Sequence, residues 1–128
     1  MTGVLRPFTE RSVVNAMPDW VARMPGAVTV SDREHRIVYM NDAAAATWES
    51  KGGRALLGTD LMACHNPRSR AMIEELLSTG GTNAYTIEKN GTKKLIFQCA
   101  WRDPSGEVAG LVELSLVLPE NMPHFVRS

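Results

Sequence analysis

The stretch GAVTVSDREHRIVYMNDAAAATW, residues 26–48, constrains the fold more than any other part of the chain: it runs from strand through turn and strand to capped helix with no linker. Val28 and Val30 alternate with Thr29 and Ser31, Asp32 to His35 supply a polar turn, and Ile37 to Met40 form a second run of strand formers. Asn41 and Asp42 then offer side-chain oxygens as helix N-caps ahead of the alanines at 43–46.

The rest of the chain divides by the same local signals. Residues 9–24 predict a helical lead-in, since Val13, Met17, Trp20 and Met24 recur at steps of three and four, and Pro18 predicts a break in it near Met17. Glu49 to Asp60 is small and polar, with room for one helical turn at Arg54 to Leu57. Asn66-Pro67 places a cap and a first-turn proline before a helix whose core face is Met72, Ile73, Leu76 and Leu77, and Gly80-Gly81 stops it. Tyr85 and Ile87 begin a strand, Asn90-Gly91 is a hairpin turn, and Leu95, Phe97, Cys99 and Trp101 form the apolar face of the next strand. After a turn at Asp103–Gly106, Val112, Leu114, Leu116 and Leu118 alternate with polar residues until Pro119.

This order of elements resembles that of a PAS domain. The resemblance rests on the Asp32 turn, Asn41 at the start of the first helix, Gly58 before the helical segment and the run Asp103–Gly110 between the last strands, and it covers roughly residues 17–118. It implies an α+β fold: a five-stranded antiparallel sheet with short helices on one face and an N-terminal helical cap, with the strand from Ala27 central and the last strand beside it. The expected divisions are a cap at 1–24, the PAS domain at 25–119 and a tail at 120–128. The family implies a sensory or regulatory module in which a small molecule or partner shifts the packing and the change passes through a dimer. The pocket walls would then be Leu61, Met62, Met72, Ile73 and Leu76 from helices and Phe97, Cys99, Leu114 and Leu116 from strands, although an apolar stripe facing a helix also reads as plain core.

Photosensing flavin-binding members carry a reactive cysteine where Leu61 stands, so a flavin is not expected, and Cys64 reads as an inert buried thiol. Haem-binding members of bacterial kinases place a histidine after an Arg-Ser-Arg-like stretch, and here Arg68-Ser69-Arg70 is followed by Ala71. Cys64-His65-Asn66-Pro67-Arg68-Ser69 resembles a Cys-His-Pro-Pro-x-Ser signature of some small PAS-like domains, with Asn66 in place of its first proline. His65 can hold a turn, contact a polar ligand or ligate haem iron. The expected ligand is apolar or amphipathic, with a polar or carboxylate end near His65. A small enzyme using His65 as general base is the competing class, and its signature would be Asp60 or Tyr39 facing His65 across the pocket.

Composition narrows the partners. Fourteen basic and fourteen acidic residues leave no net field, from which no nucleic-acid partner is expected. No apolar run reaches the ~20 residues of a membrane span and the N-terminus lacks a signal-peptide core, so no membrane partner and a cytoplasmic location are expected. The apolar stripe of the lead-in, lying outside the PAS core, suits either a helix covering its own sheet or packing on a second copy, and a homodimer is expected. The histidines and cysteines at 35, 64, 65, 99 and 124 show no zinc-site spacing.

Overall fold

The computed structural model describes residues 17–128. Helix α1 (Asp19–Ala22) is followed by strands β1 (Ala27–Asp32) and β2 (Ile37–Met40), helix α2 (Asp42–Thr47) and 3-10 turns at Glu49–Lys51, Gly53–Leu56 and Leu61–Cys64. Helix α3 (Pro67–Thr79) then leads into β3 (Thr82–Lys89), β4 (Thr92–Arg102) and β5 (Val108–Val117). All five strands form one antiparallel sheet in the order β2-β1-β5-β4-β3, so the first and last strands are neighbours, as expected from the resemblance. The sheet's centre is β5, with β1 beside it.

Local chemistry explains most element ends. Pro18 is extended at the N-cap of α1, which places the expected helix break there, while Val13 and the rest of the predicted lead-in before Met17 lie outside the described residues. Asp32 Oδ1 accepts from the amides of Glu34 and Arg36 at 3.0 and 2.9 Å, closing the β1–β2 turn around His35 in the left-handed region. Asn66 Oδ1 accepts from Ser69 N at 2.8 Å and Pro67 takes the first helical position of α3, where its missing N–H costs nothing. Gly80 ends α3 in the left-handed conformation, its amide bonded to Leu76 O. Asn90 and Gly91 both have positive φ, as a two-residue turn between paired Lys89 and Thr92 requires.

The sheet carries a core on each side. Toward α2 and α3, Ile37, Met40, Ala44, Leu61, Ile73, Leu76 and Leu111 bury together, and each large side chain among them contributes about 1.5–3 kcal/mol of burial. On the other side Val21, Val28, Val30, Val38 and Tyr39 cluster with Met17, Met24, Trp101, Val112 and Leu114. The lead-in thus covers the outer face of its own sheet through Met17, Val21 and Met24. Trp20, part of the apolar stripe read from sequence, is 69% exposed.

Cross-strand pairing determines which residues share a face, because directly opposed residues of antiparallel strands project to the same side. One row running across β1, β5, β4 and β3 is Thr29, Glu113, Gln98 and Asn83, and the next is Ala27, Ser115, Ile96 and Tyr85. The intervening row is Val28, Leu114, Phe97 and Ala84, which belongs to the outer face. The apolar stripe of β4 and β5, expected to face the helices, therefore faces away from them. Phe97, Cys99, Leu114 and Leu116 lie on the side that α1 packs against, and the inner face is the polar one.

Candidate ligand-binding site

A cleft of about 430 Å³ opens between the inner face of the sheet and the segment joining the 3-10 turns to α3. Thr29, Glu113, Ser115, Ile96 and Tyr85 supply its floor; Trp48, Cys64, His65 and Ser69 supply its roof. Behind it, a chamber of about 20 Å³, the size of one water, is lined by Ile37, Met40, Leu56 and Leu61 and shares Thr29, Trp48, Cys64, His65 and Glu113 with the cleft. The site is thus apolar at its deep end and mixed along the cleft, where Ala27, Trp48, Ile87 and Ile96 stand among polar side chains.

The roof is anchored from β2. Ile37 N donates to Thr59 O at 2.9 Å, Gly58 N to Ile37 O at 2.8 Å and Leu61 N to His35 O at 2.6 Å, which pins the last 3-10 turn over the sheet. Asp60 Oδ1 caps that turn by accepting from Met62 N at 2.8 Å. His65 follows it: Nδ1 donates to Leu61 O at 2.8 Å, and because a carbonyl only accepts, Nδ1 carries the proton and neutral His65 keeps Nε2 as an acceptor. Arg70 Nε bonds the carbonyls of Met62 and His65 at 2.9 and 3.0 Å, holding the turn against the first turns of α3.

The floor is organised by amides. Gln98, 4% exposed, donates Nε2 to Glu113 Oε2 at 3.1 Å and accepts from Asn83 Nδ2 on its Oε1 at 3.2 Å. Glu113 is thereby held by one carboxylate oxygen, and no cation lies within ion-pair distance of it among the described residues. Desolvation, with the Glu113 charge adding to it, holds the Tyr85 phenol above its ordinary pKa, so Tyr85 enters the cleft as a neutral hydroxyl.

The sequence-derived site is thus split. His65 and Cys64 line the cleft, whereas Ile73 and Leu76 are fully packed core and Met62 and Met72 pack partly buried against it. Phe97, Cys99 and Leu114 do not line the cleft, for the facing reason given above. Burial raises the Cys99 thiol, so less of it ionises at pH 8, and Cys99 should alkylate with iodoacetamide well below the rate of the same thiol in the urea-unfolded chain. Equal rates before and after unfolding would show the thiol to be unprotected. Neither Asp60, committed to its cap, nor Tyr39, in the outer cluster, lines the cleft with His65. Glu113 does, together with Thr29, Tyr85 and Ser115. The available signal was Gln98 and Glu113 standing at the middle of long strands, where a polar side chain without a partner needs a reason.

His65 holds its ring as a metal-ligating histidine does, with the second nitrogen on a carbonyl. The surroundings do not fit a haem. A macrocycle buries a broad apolar disc, and the floor beneath His65 presents Glu113, Thr29 and Ser115. No group of three or more His, Cys, Asp or Glu suited to a metal ion occurs among the described residues.

A 2-1-5-4-3 antiparallel sheet with α2, the 3-10 turns and α3 on one face and a cleft between them is the PAS architecture, and the fold of this chain is PAS-like. Solved structures with this fold include a VqmA–ligand–DNA complex of Vibrio cholerae (TM-score 0.62, 18% identity, 87% of this chain and 52% of that one). They also include the Aer2 receptor of Vibrio cholerae, described as a dual PAS-haem oxygen sensor (TM-score 0.57, 17% identity, 73% and 95%), and the PAS domain of the histidine kinase ThkA (0.58, 14%, 71% and 97%). The chain spans about half the length of VqmA. No family model matches the chain, and no curated protein does.

The VqmA complex overturns one expectation. Balanced charge predicts no nucleic-acid partner, yet a protein with this fold has been solved on DNA. Net charge reports the field of the residues counted, and this chain corresponds to about half of that protein, so the exclusion does not hold. Among the described residues no helix is long and apolar enough to cross a membrane.

Proposed function

We propose that this domain is a sensory module whose signal is a small molecule held in the cleft between the sheet and α3. The observation that carries the reading is the cleft itself: about 430 Å³, with a carboxylate and an imidazole that keep hydrogen-bonding capacity to spare. The ligand in the VqmA complex and the sensory role of Aer2 support it by likeness of fold. Occupancy would change how the roof sits on Glu113 and Ser115, and those residues alternate along β5 with Val112 and Leu114 of the outer face. A shift of β5 therefore reaches α1, whose exposed Trp20 is suited to relay it to a second copy.

Freshly purified protein should carry an additional mass in native mass spectrometry that disappears on unfolding. His65→Ala should reduce retention of that mass at least tenfold while costing about 1 kcal/mol of stability for the lost Leu61 bond. A destabilised variant that still co-purifies with its ligand would remove His65 from the site. Sedimentation of Trp20→Ser tests the relay: the intact chain should associate and the variant should dissociate. An intact chain that stays monomeric at high concentration would end that part of the proposal.

A further inference from the structure

The charge facing the cleft decides the chemistry of the ligand, an inference that rests on the cleft being a binding site. Glu113 Oε2 is occupied by Gln98, itself held by Asn83, so the carboxylate is fixed in place while Oε1 has no partner among the described residues. His65 Nδ1 is committed to Leu61 O, which leaves Nε2 as the ring atom facing a ligand, an acceptor in the neutral imidazole. Two acceptors, one of them a full negative charge, thus line both the cleft and its deep chamber. A carboxylate brought there would meet Glu113 with like charge, and an N–H donor would meet two unfilled acceptors.

The cations lining the same cleft are Lys89 and Lys94. They belong to its other end: Lys94 lies four residues along β4 from Gln98, roughly 13 Å away, and Lys89 closes the hairpin beyond it. Ala27, Trp48 and Ile96 line the cleft as well and provide apolar surface for a ring. We infer that the ligand is a small nitrogenous molecule, a protonated amine or amino-substituted heterocycle, whose N–H groups donate to Glu113 and His65 and whose apolar body lies against Trp48 and Ile96. The carboxylate end expected from sequence near His65 is thereby replaced by a donor end.

Isothermal titration of the intact chain with 2-aminopyridine and phenethylamine, against benzoate and phenylacetate of matched size, tests the class on the wild-type protein. The amines should bind at least tenfold more tightly than the acids, and Glu113→Gln should remove most of that difference. Acids that bind as well as amines would overturn the inference, as would a Glu113→Gln variant, folded by circular dichroism, that keeps the wild-type preference. Native mass spectrometry separates this failure from that of the function itself. A retained ligand identified as an acid or a hydrocarbon overturns the class and leaves the cleft as a sensor site. No retained mass together with no binding of any probe overturns both.

Discussion

Replacing Gly110 by alanine is expected to cost more than about 4 kcal/mol, a large part of the 5–15 kcal/mol that holds a domain of this size, and to leave little folded protein. A Cβ at this position would overlap the carbonyl of Ser31 on the neighbouring strand and stand 2.7 Å from Trp101 Nε1. The first obstacle is backbone, so no rotamer change relieves it. Gly110 pairs with both Asp32 and Trp101, at the point where the β4–β5 register shifts by an extra residue of β5, and the Trp101 indole crosses over it to donate to Ser31 O at 3.1 Å. Widening this junction would part the central strand from β1. Gly106→Ala is the control: nothing lies within 4 Å of its added Cβ, and only its positive φ is penalised, by about 1–2 kcal/mol. Urea unfolding of both variants decides the matter, and equal losses would show that the close approach does not govern stability.

Asn41→Ala is expected to cost about 3–5 kcal/mol. The side chain is 1% exposed and uses its full hydrogen-bonding capacity. Its Oδ1 accepts from Ala44 N at 3.0 Å, capping α2, and from Val28 N at 2.9 Å in β1. Its Nδ2 donates to Val21 O at 2.9 Å in α1 and to Gly26 O at 2.8 Å. Alanine would strand four backbone groups in a place with little water to replace their partner. Asn41→Asp keeps the two accepted bonds but sets a carboxylate oxygen against two carbonyls, so it should also be strongly destabilising, and more so above the carboxylate's pKa than below it. Denaturant midpoints at two pH values measure this. A loss under 1 kcal/mol for Asn41→Ala would mean that α1 and α2 are held by their apolar contacts alone.

Both predictions concern how elements meet, and there the sequence was only partly legible. Asn41 was readable as a helix cap because capping is local, within three residues. Its bonds to Val21, Gly26 and Val28 are contacts across 13–20 residues that no spacing rule announces. The lead-in was read as a stripe through Trp20, whereas Val21 is the residue buried. A four-residue helix, with Pro25 three residues beyond its end, does not hold one period long enough for its face to be read from sequence.

By itself the sequence determined the order and limits of the elements, because caps, prolines and turn residues act on backbone within a few residues: Asn66-Pro67 begins α3, Gly80 ends it, and Asn90-Gly91 turns β3 into β4. It also determined that β4 and β5 have one apolar and one polar face, since side chains alternate along a strand. Only the tertiary structure decided which of these faces meets the helices. Alternation with period two is symmetric between the two sides of a sheet, and the choice was made by the register that sets Glu113 between Thr29 and Gln98, and by α1 covering Leu114 and Val112. That choice put Phe97, Cys99 and Leu114 behind the sheet and brought Glu113 into the cleft beside His65, two residues 48 positions apart whose meeting neither local sequence encodes.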